Sequence, residues 1–241
     1  MPVSSNTLFH FTNSLNNILN ILKYNFIPHY CLEKFRLRDN NIEAAFPFVS
    51  FCDIPLAQVK EHLAIYGDYG IGFKRNWGYS NGLNPVLYIE NNSTFADFSY
   101  KLFQNIAGDK DKNHSTLAEF AMKMVSILKS FEGDYKKGGK TFSNYRFYNE
   151  REWRFIPDGL YMILKNDFED RIKRERANDK VASKKLFFQP NDISYIIIKD
   201  ENEIENMIEN LKIIKSRKYD DRTIEKLISR IITVEQIKDD F

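Results

Sequence analysis

The sequence predicts an α+β fold, a mixed or antiparallel central sheet flanked by helices, and three observations predict it. Short segments rich in β-branched and aromatic residues recur at 7–12, 46–52, 67–73, 85–90, 147–156 and 193–198. Between them lie stretches whose apolar residues repeat at helical spacing. Turn-forming Gly, Pro, Asn and Asp punctuate the two kinds, with no internal repeat, low-complexity tract or linker, so residues 1–241 are expected to form a single domain.

TLFHFT (7–12) reads as the first strand, closed by Asn13-Ser14 in the position of a helix cap. Leu15, Ile18, Leu19 and Leu22 then form one apolar stripe of a helix that should pack on the sheet. Residues 24–45 are mixed and polar and give no clear element. FPFVSFC (46–52) reads as a strand stopped by Asp53-Ile54-Pro55, and Leu56, Val59, Leu63 and Tyr66 mark a second amphipathic helix. GDYGIGF is a strand entered through a turn, with PVLYIE (85–90) as its neighbour. A helix is expected over 117–131, a Lys-bearing loop over 133–143 and a strand over 147–156. A charged helix over 161–177, a buried strand ISYIII (193–198) and two helices over 203–215 and 222–231 complete the chain.

Composition excludes several function classes. The 35 basic and 33 acidic residues leave a net charge of +2, which gives no nucleic-acid or membrane signature. Aromatic residues at 15% argue for a packed globule rather than disorder. Cys31 and Cys52 have neither CxxC spacing nor histidines at zinc-ligand intervals, so no disulfide scaffold and no metal are expected. MPVSSNTLFHFT lacks a basic stretch followed by an apolar one, and no apolar run is long enough to span a bilayer. A cytoplasmic protein is expected.

Among residues that carry chemistry, FYNEREWRFI is the most informative. As a strand it alternates, so Glu150, Glu152 and Arg154 project from one face and Arg151, Trp153 and Phe155 from the other. Paired carboxylates can stabilise positive charge at an anomeric carbon. The same pattern also fits an amphipathic strand whose charged face meets water while Trp153 and Phe155 enter the core. His10 shares a face with Leu8 and Thr12, either as a half-buried histidine or as a ligand. Ser50 and Cys52 share a face of the next strand; Cys52-Asp53 has no histidine nearby in sequence, which makes Cys52 a core residue. His29, His62 and His114 are expected at the surface, and HExxH is absent. The glycines around Tyr69 fit neither a dinucleotide-binding GxGxxG nor a phosphate-binding loop.

Taken together, LFHFTNSLNNILNIL, FPFVSFCDIPLAQVKEHLAIYGDYGIGF, NPVLYIE and NEREWRF resemble the AbiGi family of abortive-infection antitoxins, over about residues 7–156 with continuation toward the C-terminus. The resemblance implies phage defence in bacteria, beside a cognate toxin protein. A looser similarity joins the H-x-T strand and its L-x-x-I-L helix to DNA-targeting ADP-ribosyltransferase toxins and RNA phosphotransferases. It implies that His10, Thr12 and Ser50 hold NAD as a substrate, that Glu152 stabilises the ribosyl cation and that Glu150 orients the acceptor. Nucleic acid, protein and small molecules all stay open as that acceptor. The chain departs from those toxins after the first helix, where only Arg36 and Arg38 stand in for an arginine-rich loop. Two functions are therefore expected from resemblance: an ADP-ribosyltransferase-like enzyme, or a non-enzymatic antitoxin that binds and neutralises its toxin.

Overall fold

The computed structural model describes residues 5–108, 116–137, 139–159 and 162–240. Its fold is α+β with a mixed sheet, as expected from the sequence, and the chain divides into two compact units.

The first unit comprises Met1–Phe26, Ser50–Leu83 and Leu186–Phe241. Its sheet runs Ile231–Thr233, Ile193–Ile198, Tyr69–Lys74, Thr7–Thr12 and then the final residues of the strand Asn40–Cys52. The first pair is parallel and the rest antiparallel, with Thr7–Thr12 in unbroken register against Tyr69–Lys74. Gly70 and Gly72 explain the spacing of GDYGIGF. A Cβ at either would lie 2.8 or 2.7 Å from the ring of Phe11 or Phe9, so glycine lets those rings lie across the neighbouring strand. Alternation sends Phe9 into a cluster with Val59, Leu63, Ile197 and Ile237. On the helix Leu15–Tyr24, Ile18 and Leu22 are the buried residues, four positions apart as the apolar stripe requires. Ser14 is its N-cap residue, without a side-chain capping bond.

The second unit comprises Ile27–Val49 and Asn84–Lys185. Its backbone is a long hairpin, His29–Leu37 against Asn40–Cys52, turned through Arg38 in the left-handed region at φ 54°. This corrects the reading of 24–45 as featureless: the polar Glu33, Lys34 and Glu43 face ionic partners and mask the period of two. Glu152–Phe155 joins the same sheet and pairs Asn84–Pro85, while Ile163–Leu164 pairs the hairpin at Ala44 and Ala45. Phe35, Phe46, Ile89, Phe103, Val125 and Leu128 build the core, reached from the helices Thr94–Gly108 and Thr116–Ser126.

Several boundaries differ from expectation. The helix expected over 117–131 stops at Ser126, and Leu128–Ser130 is a strand parallel to Leu87–Ile89. Much of the expected loop over 133–143 is a second hairpin, Gly133–Lys137 with Lys140–Tyr145. The expected 161–177 helix is two helices, Lys165–Glu169 and Arg171–Val181, because the Asp170 carboxylate caps the second by accepting from the backbone N–H groups of Ile172 and Lys173. The helix expected over 222–231 is Asp221–Ile228, and the residues after it form the parallel edge strand. Among the described residues no helix is long and apolar enough to cross a membrane.

Candidate functional site: a buried ion network

The chain enters the E-x-E segment differently from the expected strand over 147–156. Phe147–Glu150 is a 3-10 turn, Arg151 takes a left-handed conformation at φ 47°, and the strand begins only at Glu152. Strand alternation therefore does not relate Glu150 to Glu152. They meet instead through Lys129, whose Nζ lies 3.1 Å from Glu150 Oε2 and 2.6 Å from Glu152 Oε2.

Arg154, at 0% exposure, completes the arrangement. Its Nε donates to Glu152 Oε1 at 2.6 Å and its Nη2 to Glu33 Oε1 at 2.8 Å, while Nη1 donates to the Ser126 carbonyl at 2.7 Å. The guanidinium also lies 4.1 Å from the centre of the Phe48 ring. The Glu152 backbone N–H donates to Tyr88 Oη at 2.9 Å, and Tyr145 hydrogen-bonds Glu150. A guanidinium can be taken fully out of water only when its fork of donors is met in this way.

The charges settle accordingly. Burial by itself would raise the Glu152 pKa, but Arg154 and Lys129 outweigh it and hold the carboxyl at about 2. Burial opposes the Lys129 and Arg154 charges as well, and the surrounding carboxylates, Glu152 foremost, keep both pKa values raised. Glu33 goes the other way: burial raises its pKa against the pull of Arg154 and Lys129. Burial, with Glu33 beside it, also pushes the Cys31 thiol up to about 12, so it is an unreactive thiol. Glu33 and Lys129 reach a groove of about 1370 Å³ in this unit, whose lining includes neither Glu150 nor Glu152.

The charged face of the Glu152 strand is thus dry. The alternative reading, in which Glu150, Glu152 and Arg154 face water, is corrected: all three are buried. Trp153 is in the core as expected, whereas Phe155 is only half-buried.

The other predicted site residues lie in the first unit. His10 Nδ1 donates to the Ser50 carbonyl at 2.8 Å, which leaves Nε2 as an acceptor with no partner among the described residues. Burial among Phe26 and Phe51 lowers the His10 pKa despite that bond, so the ring is neutral. Thr12 Oγ1 accepts from Asn17 Nδ2 at 2.7 Å. The structure therefore brings His10 to Ser50 and Glu150 to Glu152, each pair within its own unit.

His62 is buried between the rings of Phe11 and Tyr66 rather than at the surface. His29 is exposed as expected, and His114 lies outside the described residues. Cys52 is buried, and no cluster of three potential metal ligands occurs among the described residues. The sequence reading missed Lys129, Glu33 and Tyr88 entirely. Only Arg154, two residues after Glu152 in a strand, carried a local signal of same-face opposite charge.

The class that fold and site define is an α+β protein whose paired carboxylates are locked in a buried ion network. The family described as "Putative abortive phage resistance protein AbiGi, antitoxin" matches residues 24–199. The chain is also 26% identical to the abortive phage resistance protein AbiGi of Lactococcus lactis subsp. cremoris, over 251 aligned residues covering 90% of this chain and 99% of the relative. This chain belongs to the AbiGi family of abortive phage resistance proteins. No solved structure matches it.

Proposed function

We propose that this chain is an antitoxin of a bacterial abortive-infection pair, acting in the cytoplasm by binding a toxin protein, and that Glu150 and Glu152 serve its architecture. The observation that carries this reading is the state of Glu152. A carboxylate 5% exposed, held by two cations and ionised down to about pH 2, is committed to its neighbours rather than presented to a sugar ring. The family description, which names an antitoxin, supports the same reading.

The test is co-expression with the protein encoded beside this chain, with NAD followed in the same cells. Suppressed toxicity, a complex recovered by affinity capture and unchanged NAD support the proposal. NAD consumption by the purified chain, lost in Glu152→Gln, without any complex, would reject it.

One observation favours a second reading, in which His10, Thr12 and Ser50 hold NAD. Neutral His10, its tautomer fixed by the Ser50 carbonyl, offers Nε2 to a ribose hydroxyl. Equilibrium dialysis against NAD decides it: binding lost in His10→Ala supports this reading, and no binding by the parent chain removes it.

A further inference from the structure

Within the first unit, the helices Leu15–Tyr24 and Ile204–Lys215 pack side by side and leave a cleft of about 620 Å³. Lys215, buried in the last turn of the second helix, fixes the pair by donating from Nζ to the Leu22 carbonyl at 2.6 Å, one of the carbonyls that a helix end leaves without an intrahelical partner. The cleft is lined by the apolar side chains of Leu19, Tyr24, Ile213 and Ile214. Two of these are unusually open to water, with Tyr24 45% and Ile213 71% exposed.

The charge around this apolar strip is of one sign. Lys23 and Arg217 both line the cleft, no lining residue is acidic, and neither cation has an ion pair among the described residues. Lys23 instead rests its ammonium 5.0 Å from the centre of the Tyr24 ring. An apolar strip flanked by two unpaired cations complements an amphipathic segment with acidic flanks, since its apolar face gains by leaving water and its carboxylates meet charge.

We propose that this cleft binds an acidic, amphipathic segment of a partner protein. The inference rests on the antitoxin reading, because the toxin is the partner that would supply the segment.

The probe is a labelled helical peptide of about 14 residues, with Leu at i, i+3, i+4 and i+7 and Glu elsewhere, beside a counterpart carrying Lys for Glu. Titration by fluorescence anisotropy should show the acidic peptide binding at one site and the basic one about tenfold more weakly or less. Ile213→Asp should weaken the acidic peptide about tenfold, and Lys23→Glu with Arg217→Glu should reverse the preference between the peptides. All three positions are exposed, so the variants are expected to fold, and circular dichroism checks this.

Equal binding of the two peptides, or no change in Ile213→Asp, overturns the proposal. So does concentration-dependent self-association of the chain that Ile213→Asp abolishes, which would make the face a contact between copies. Displacement of the peptide by a single-stranded oligonucleotide, with tighter binding of the latter, overturns it as well. Toxin capture separates the two readings: capture unaffected by Ile213→Asp leaves the antitoxin in place and removes this cleft as its interface. Peptide binding as expected without any toxin capture keeps the cleft and removes the antitoxin.

Discussion

Arg154 and Glu152 show how far a local motif can be read. On a wet strand Glu152→Gln would be nearly silent, because exposed substitutions usually change stability by less than ~0.5 kcal/mol. In the network the amide leaves Arg154 and Lys129 short of the negative charge that both of them face. We expect Glu152→Gln to cost about 3–5 kcal/mol in urea denaturation at neutral pH, the range for breaking one side of a buried ion pair. A loss within ~0.5 kcal/mol would mean the site is hydrated. The pairing of Glu152 with Arg154 was legible as same-face residues of opposite charge. Lys129 and Glu33 were not, because they arrive from strands 23 and 119 residues away in sequence and no local pattern announces them.

At the scale of elements, period-two and helical apolar patterns found the opening strand, the first helix and the buried strand Ile193–Ile198, all segments with one plainly apolar set. They failed where charge is buried. The hairpin residues 29–45 and the strand Leu128–Ser130 carry charged side chains such as Glu33 and Lys129 that are turned to ionic partners, which reads as loop or as helix surface. Trp153 was legible for the reason that it is apolar on a short strand, and Trp153→Ala is expected to cost about 3–5 kcal/mol; a variant that melts like its parent would show that this face does not pack. Gly67 is the sharpest backbone case. It sits at φ +110°, and a Cβ there would lie 2.5 Å from both Asn13 Cα and the Thr12 carbonyl oxygen, backbone atoms that cannot swing aside. Gly67→Ala should therefore destabilise by at least ~1–2 kcal/mol in thermal unfolding, whereas Gly82→Ala, with open space around it and φ +70°, carries only the backbone strain.

For the whole molecule, the buried charges predict a pH profile. The Glu152 pKa is depressed to about 2 from 4.5, so its contribution is present above about pH 4.5 and is lost as pH falls toward 2. Glu33, with its pKa raised, acts in the opposite sense and weakens the fold as pH rises through and above the ordinary carboxylate range. Lys215 is lowered to about 8 from 10.5, mainly by burial, so the unfolded chain binds its proton more tightly and stability should rise between those values. Lys215→Met should flatten that rise in denaturation midpoints measured across the alkaline range; an unchanged slope would show that this amine is solvated in the native state.

The side-chain titration of Glu152 reads directly whether it is a committed structural anion. With the carboxyl carbon followed by NMR from neutral to acid pH, Glu152 should remain ionised to about pH 2, or until the protein unfolds, because Arg154 and Lys129 hold the charge. A midpoint at or above 4.5, the mark of a solvated or catalytically poised carboxyl, would contradict the account.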